Sequence, residues 1–115
     1  MNDCIFCRIA KKEIPAEILL ENEKLIVFQD KNPVAPVHVL LIPKKHVSSI
    51  VDPLLAEDQQ LAAAIFAAIK EITEKTGVNE NGFRVVVNRG AHGGESVPHL
   101  HFHIIGGREL SWPPG

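Results

Sequence analysis

His99-Leu100-His101-Phe102-His103-Ile104-Ile105 places three histidines at every second position, with apolar residues between them. Alternation with a period of two belongs to a β-strand, in which residues i, i+2 and i+4 share a face. The pattern predicts a strand from His99 to Ile105, with Leu100, Phe102 and Ile104 facing a core and the imidazoles aligned opposite. At a rise of roughly 3.3 Å per residue, neighbouring rings stand about 6.6 Å apart along such a strand. A phosphate group or a metal ion spans that gap. Half of the six histidines of the chain sit within these five positions.

Immediately upstream runs Asn88-Arg89-Gly90-Ala91-His92-Gly93-Gly94-Glu95-Ser96-Val97-Pro98. Glycines let a loop present successive backbone N–H groups to an anion. Ser96 adds a hydroxyl donor. Before the loop, Phe83 to Asn88 reads as another apolar strand. The carboxyl end is therefore expected to be a hairpin whose mouth binds an anion beside imidazoles.

Farther out, Glu17–Leu20 and Leu25–Gln29 flank the polar turn Glu21-Asn22-Glu23 and read as a second hairpin. Val37–Pro43 is almost wholly apolar, which predicts a strand covered on both faces. Asp52-Pro53 offers a helix cap and a first-turn proline. Leu54, Leu61, Ile65, Ile69 and Ile72 then recur at helical spacing up to Gly77, which suits the left-handed residue closing a helix. Residues 4–12 suit a short helix. These elements predict an α+β fold: an antiparallel sheet of about five strands with one long helix laid across it.

A chain of 115 residues forms one domain, here 1–115, with a core that needs no disulfide. The net charge of −2 and the lack of a basic run argue against a nucleic-acid polymer as partner. No apolar stretch approaches the roughly 20 residues that span a bilayer. Met1-Asn2-Asp3-Cys4 lacks the basic-then-apolar shape of a signal peptide, so the expected location is cytoplasmic. In that reducing compartment Cys4-x-x-Cys7 reads as a metal site or a redox pair before a structural disulfide.

The chain resembles the histidine triad (HIT) superfamily, and within it the Hint branch of nucleoside phosphoramidate hydrolases. The resemblance rests on the triad together with Ile5-Phe6, Glu13-Ile14-Pro15, Phe28-Gln29-Asp30, Ala35-Pro36-Val37-His38 and Ile42-Pro43-Lys44-Lys45-His46. Val86-Val87-Asn88, Gly93-Gly94, Gly106-Gly107-Arg108 and Trp112-Pro113-Pro114-Gly115 continue it in the same order. What the resemblance implies is a HIT-like fold that dimerises. It puts the nucleophile on His101, which would attack the α-phosphorus, expel an amine and leave a nucleotidyl-histidine for water to cleave. His103 and Ser96 would hold phosphate oxygens and assist the departing amine. His99 and His38 would orient the nucleophile, although a histidine satisfied within the core is the other reading of His38.

The nucleotide pocket implied by the resemblance comprises Ile5, Phe6, Ile9, Phe28 and Lys31 around a purine, and Asp30 on the ribose hydroxyls. Asn88, Gly94, Glu95 and Ser96 come near the phosphate, and Trp112 reaches the partner subunit's site. His92 stands where relatives often carry an acid, and Pro98 where the Hint branch has an aromatic, both of which bear on the leaving amine. Some bacterial members bind zinc through a Cys-x-x-Cys and two histidines, which maps here onto Cys4, Cys7, His46 and His99. Such a zinc would be structural, with none required for the chemistry. His99 is thus left with two jobs, relay or ligand, and the cysteines with the alternative of plain packing. Rival functions are a dinucleoside polyphosphate hydrolase, a zinc-dependent hydrolase using all three triad histidines, and a nucleotide-binding regulator.

Overall fold

The computed structural model describes residues 4–115, so residues 1–3, which entered the reading for a targeting segment, lie outside it. Helix α1 (Ile5–Ala10) opens the described chain. Strands β1 (Ile18–Glu21), β2 (Leu25–Gln29) and β3 (Val37–Pro43) follow. Helices α2 (Pro53–Glu57) and α3 (Gln59–Thr76) come next, then β4 (Phe83–Val86) and β5 (Phe102–Gly106). The sheet is antiparallel throughout, in the order β1-β2-β3-β5-β4.

Alternation sorts the side chains onto two faces. Leu25 and Val27 of β2, Val39 and Leu41 of β3, and Phe102 and Ile104 of β5 pack on one side with Leu61, Ile65, Ala68 and Ile72 of α3. Ile26, Phe28, Leu40 and Ile42 pack on the other side with Phe6 and Ile9 of α1. β3 is buried on both faces, as its uniform apolar run requires. Leu100, Phe102 and Ile104 lie in the α3-side core, and the imidazole of His103 faces the α1 side.

Several expected elements differ in extent. The single long helix is broken at Asp58, which ends α2 with φ −98° and ψ 84° and caps α3 by accepting from the Leu61 N–H at 3.0 Å. A short carboxylate that can bond its own backbone competes with helix continuation. Asp52 caps α2 in the same way, and Gly77 closes α3 at φ 82°. The histidine strand begins at Phe102, because the Leu100 N–H bonds the Val47 carbonyl at 2.7 Å and the His99 N–H bonds Val97 at 2.9 Å. Leu100 is therefore pinned to the segment after β3, and residues 99–101 stay out of the sheet ladder. β4 likewise stops at Val86, short of Asn88.

Candidate active site

On the α1 face of the sheet lies an open cavity of about 900 Å³. Ile5, Phe6 and Ile9 of α1 form one wall, and Phe28 and Leu40 the floor. Asp30, Lys31, Ser96, His101 and His103 bring polar groups to the same space. An apolar slot with a few convergent polar groups is the ordinary form of a small-molecule site. Pro15, Ala16 and Glu17 also line it, in a connection with no periodicity to reveal them, as do Gln29 and Pro33.

Four residues expected at the nucleotide are not among those that line this cavity. Asn88 donates its amide to the Gly93 carbonyl at 2.6 Å, and Glu95 accepts the Gly90 N–H at 2.8 Å, so both brace the glycine loop. That loop needs its glycines: a β-carbon at Gly93 would collide with the Arg89 carbonyl, and Gly94 has φ 74°. Gly94 is not among the cavity-lining residues, and Trp112 is 81% exposed.

The imidazoles fall into two groups. His101 is buried, with Nδ1 2.7 Å from the His99 carbonyl and Phe6 edge-on at 4.9 Å between ring centroids. A carbonyl only accepts, so Nδ1 of His101 carries the proton and Nε2 keeps the lone pair. His38 meets His103 and not His101: its Nε2 is 2.9 Å from Nδ1 of His103 and 3.3 Å from Asp30 Oδ2. Strand register explains the pairing. β3 and β5 set His38 opposite Ile105 and Leu40 opposite His103, which makes the two histidines diagonal neighbours on one face.

The His99 ring turns away from the cavity. Its Nδ1 is 3.2 Å from Cys4 Sγ and 3.4 Å from Cys7 Sγ, while His46 Nδ1 is 3.2 Å from Cys7 Sγ. The four donor atoms all lie within 4.8 Å of one another. Tetrahedral zinc, with Zn–S about 2.3 Å and Zn–N about 2.0 Å, has S···N edges of about 3.5 Å. The residues fit such an ion. The second ring nitrogen of His99 sits 2.9 Å from the Pro43 carbonyl, which fixes the proton on Nε2 and leaves Nδ1 as the donor. Burial pushes the His99 imidazole down to about 4, so the ring keeps the lone pair that a cation needs. Burial also pushes the Cys4 thiol up, against the Cys7 N–H that it accepts, and a cation there would favour the thiolate further. The three triad rings form no such group among the described residues.

Residues 11–110 match the HIT domain family. The chain belongs to the HIT family. An uncharacterized HIT-like protein of Synechocystis is 46% identical over 98% of this chain and 97% of its own length. Among solved structures, a HIT family hydrolase of Legionella pneumophila superposes with a TM-score of 0.93 at 42% identity, covering 98% of this chain and 100% of that one. A histidine triad nucleotide-binding protein of Candida albicans gives 0.82 at 32% identity, over 96% and 83%. The α+β fold and the five-stranded sheet of this HIT domain are thus those of its neighbours.

Proposed function

We propose that this HIT domain is a nucleotide-binding hydrolase that cleaves the P–N bond of purine nucleoside 5′-phosphoramidates to the nucleoside monophosphate and an amine. The observation that carries the reading is His101, whose Nδ1 is tied to the His99 carbonyl at 2.7 Å while its ring lines the cavity with His103 and Ser96. An imidazole fixed in that tautomer presents an unprotonated Nε2, which is a competent nucleophile at neutral pH. Nε2 attacks the α-phosphorus, the P–N bond breaks and the amine departs with a proton passed from solvent through the Ser96 hydroxyl, to be matched by the proton that the hydrolytic water later gives up. Water then cleaves the nucleotidyl-histidine and restores the ring. N–H and O–H donors from His103 and Ser96 stabilise the charge that builds on the phosphoryl oxygens.

The purine stacks in the apolar slot of Ile5, Phe6, Ile9 and Phe28, beside Lys31, and Asp30 accepts from the ribose hydroxyls. A zinc held by Cys4, Cys7, His46 and His99 would supply a closed structural anchor for α1. None of the steps at phosphorus runs through it. The hydrolase named in Legionella pneumophila and the nucleotide-binding protein named in Candida albicans support the class. A dimer is supported by β4, an edge strand that exposes Phe83 and Val85.

The direct test is mass spectrometry of protein quenched during turnover of adenosine 5′-phosphoramidate. An adduct of one nucleotidyl group on His101 is the expected result. Turnover of dinucleoside polyphosphates in preference to phosphoramidates, or hydrolysis with no adduct and undiminished rate in His101→Asn, would reject the proposal.

A further inference from the structure

The first turn of α1 serves the cage and the cavity at once. Cys4 caps the helix, its Sγ accepting the Cys7 N–H at 3.3 Å, and the same sulfur stands 3.2 Å from His99 Nδ1. Cys7 lies one turn on, with Sγ 3.4 Å from that nitrogen and 3.2 Å from His46 Nδ1. The two sulfurs are within 4.8 Å of each other. Between them in the chain come Ile5 and Phe6, both of which line the cavity. The Phe6 ring is wedged among three others, edge-on to His101 at 4.9 Å, to His99 at 5.9 Å and to Phe28 at 6.0 Å between centroids. One side chain thus touches a ring of the cage, the ring of His101 and the floor of the apolar slot.

We infer that Cys4 and Cys7 form a reversible dithiol–disulfide switch that sets the position of Phe6, and with it the grip of the slot on a nucleotide base. Exposure gives the order of events. Cys4 is partly exposed and Cys7 is buried, so the Cys4 sulfur meets an oxidant first. A small-molecule disulfide is the oxidant. The Cys4 sulfur attacks one of its sulfurs and expels the first reagent thiol; the Cys7 sulfur then attacks Cys4 in the mixed disulfide and expels the second. The two cysteines lose two electrons and the reagent gains them, and each cysteine proton leaves on a departing thiol. Where a cation holds the sulfurs as thiolates, the cation is released instead and the departing thiolates take protons from solvent. The new bond draws both sulfurs off the imidazoles of His46 and His99 and closes a ring over residues 4–7. Phe6 lies inside that ring, so the rearranged turn is felt at its contacts with His99 and His101.

The nucleotide as ligand rests on the function proposed above, whereas the sulfur chemistry and the movement of Phe6 do not. Full-length protein treated with oxidised glutathione should lose about 2 Da, the two thiol hydrogens, from the peptide that holds Cys4 and Cys7. Any zinc the protein carries should be released in step, as read with a chromophoric chelator. The Hε1 resonance of His101 should move, because the ring current of Phe6 reaches it from 4.9 Å. In calorimetry, adenosine 5′-monophosphate should bind roughly tenfold more weakly, the scale of one lost aromatic contact. Dithiothreitol should restore the mass, the resonance and the affinity. A variant carrying both Cys4→Ser and Cys7→Ser should show none of these responses to the oxidant. Wild type that keeps both thiols overturns the inference, as does a disulfide that leaves the His101 resonance and the affinity unchanged. Loss of the helical circular dichroism on oxidation overturns it too, since the pair would then clamp the whole fold instead of moving one wall. Should the reduced wild type bind no monophosphate, the nucleotide reading falls and the His101 resonance alone decides the switch.

Discussion

The cage around His99 and the cavity beside His101 and His103 are built from one short segment, yet they hold their imidazoles in opposite ways. In the cage, four donor atoms converge on a common point, and the spare nitrogen of His99 is consumed by the Pro43 carbonyl. In the cavity, each ring is anchored through Nδ1 and its other nitrogen faces open space. A closed donor set suits a structural ion, and an open one suits chemistry. The irregular backbone before Phe102 makes the division possible, because Leu100 bonds Val47 after β3, His99 bonds Val97 in its own loop, and the first ring is out of line with the third.

The hardest test of that division is His101→Ala. Turnover of a phosphoramidate should fall by at least about 10³-fold, since removing a covalent route costs far more than losing one contact. The dissociation constant of the nucleoside monophosphate should stay within about threefold of wild type, as the slot and Asp30 still hold it. Single-turnover kinetics and calorimetry read the two quantities. Activity within tenfold of wild type would merge the two regions into one scaffold with the chemistry elsewhere.

Next in size is the cage. Cys7→Ser should abolish the binding of one zinc per chain and lower the melting temperature by about 10 °C or more, because a zinc in the cage would tie α1 to the sheet. His99→Ala should lose the metal, since its ring would supply one ligand, and should lose rate only as far as the segment carrying the backbone carbonyl that holds His101 shifts. Elemental analysis and scanning calorimetry of untagged protein decide it. Zinc near zero in wild type, with both thiols titrating readily, would return Cys4 and Cys7 to the role of packing residues.

Much of the frame was legible because it is local. The two-residue period of 100, 102 and 104, the apolar run of β3, and the Asp52 and Gly77 caps each declare themselves within a few residues. The break at Asp58 was not, since a polar residue on the exposed side of a helical pattern carries no sign that it will cap. Nor was the partner of His38: the ring meets His103 from 65 positions away, a fact of strand register and not of spacing. Pro15, Ala16 and Glu17 reach the cavity through a connection that obeys no period. The cage was legible as a set of ligand types, and its closure required the fold to bring position 4 beside position 99.

A smaller effect separates the ribose from the phosphate end of the cavity. Asp30 is partly exposed at the pocket wall, with Oδ1 accepting the Asn32 N–H at 2.8 Å and Oδ2 beside His38. Asp30→Asn should weaken a ribonucleoside monophosphate by roughly tenfold, the scale of a charged hydrogen bond. The 2′,3′-dideoxy analogue should be nearly indifferent to the change. Equal losses for both compounds would move Asp30 from the sugar to the His38–His103 pair.

The smallest effect is expected at the tail, where the question is whether the cavity is complete within one chain. Arg84 of β4 donates to the carbonyls of Leu110 and Ser111, so the last residues are tied to the edge strand of the sheet. Beyond that tether Trp112 stands 81% exposed, and Phe83, Val85 and Phe66 are also exposed at 38%, 41% and 72%. An aromatic followed by two stiff prolines loses little freedom on docking, and an unpaired strand edge offers a second copy backbone groups to bond. A two-fold dimer joined along this edge would carry each tail toward its partner. Deleting residues 111–115 should then shift selectivity between alkyl and aryl leaving amines by about two- to fivefold, one weak contact's worth, with little change in melting temperature or zinc content. Sedimentation at micromolar concentration supplies the other half of the test. A monomer, or a truncated protein whose amine selectivity is unaltered, would make the cavity of a single chain the whole site and leave Trp112 without a part in it.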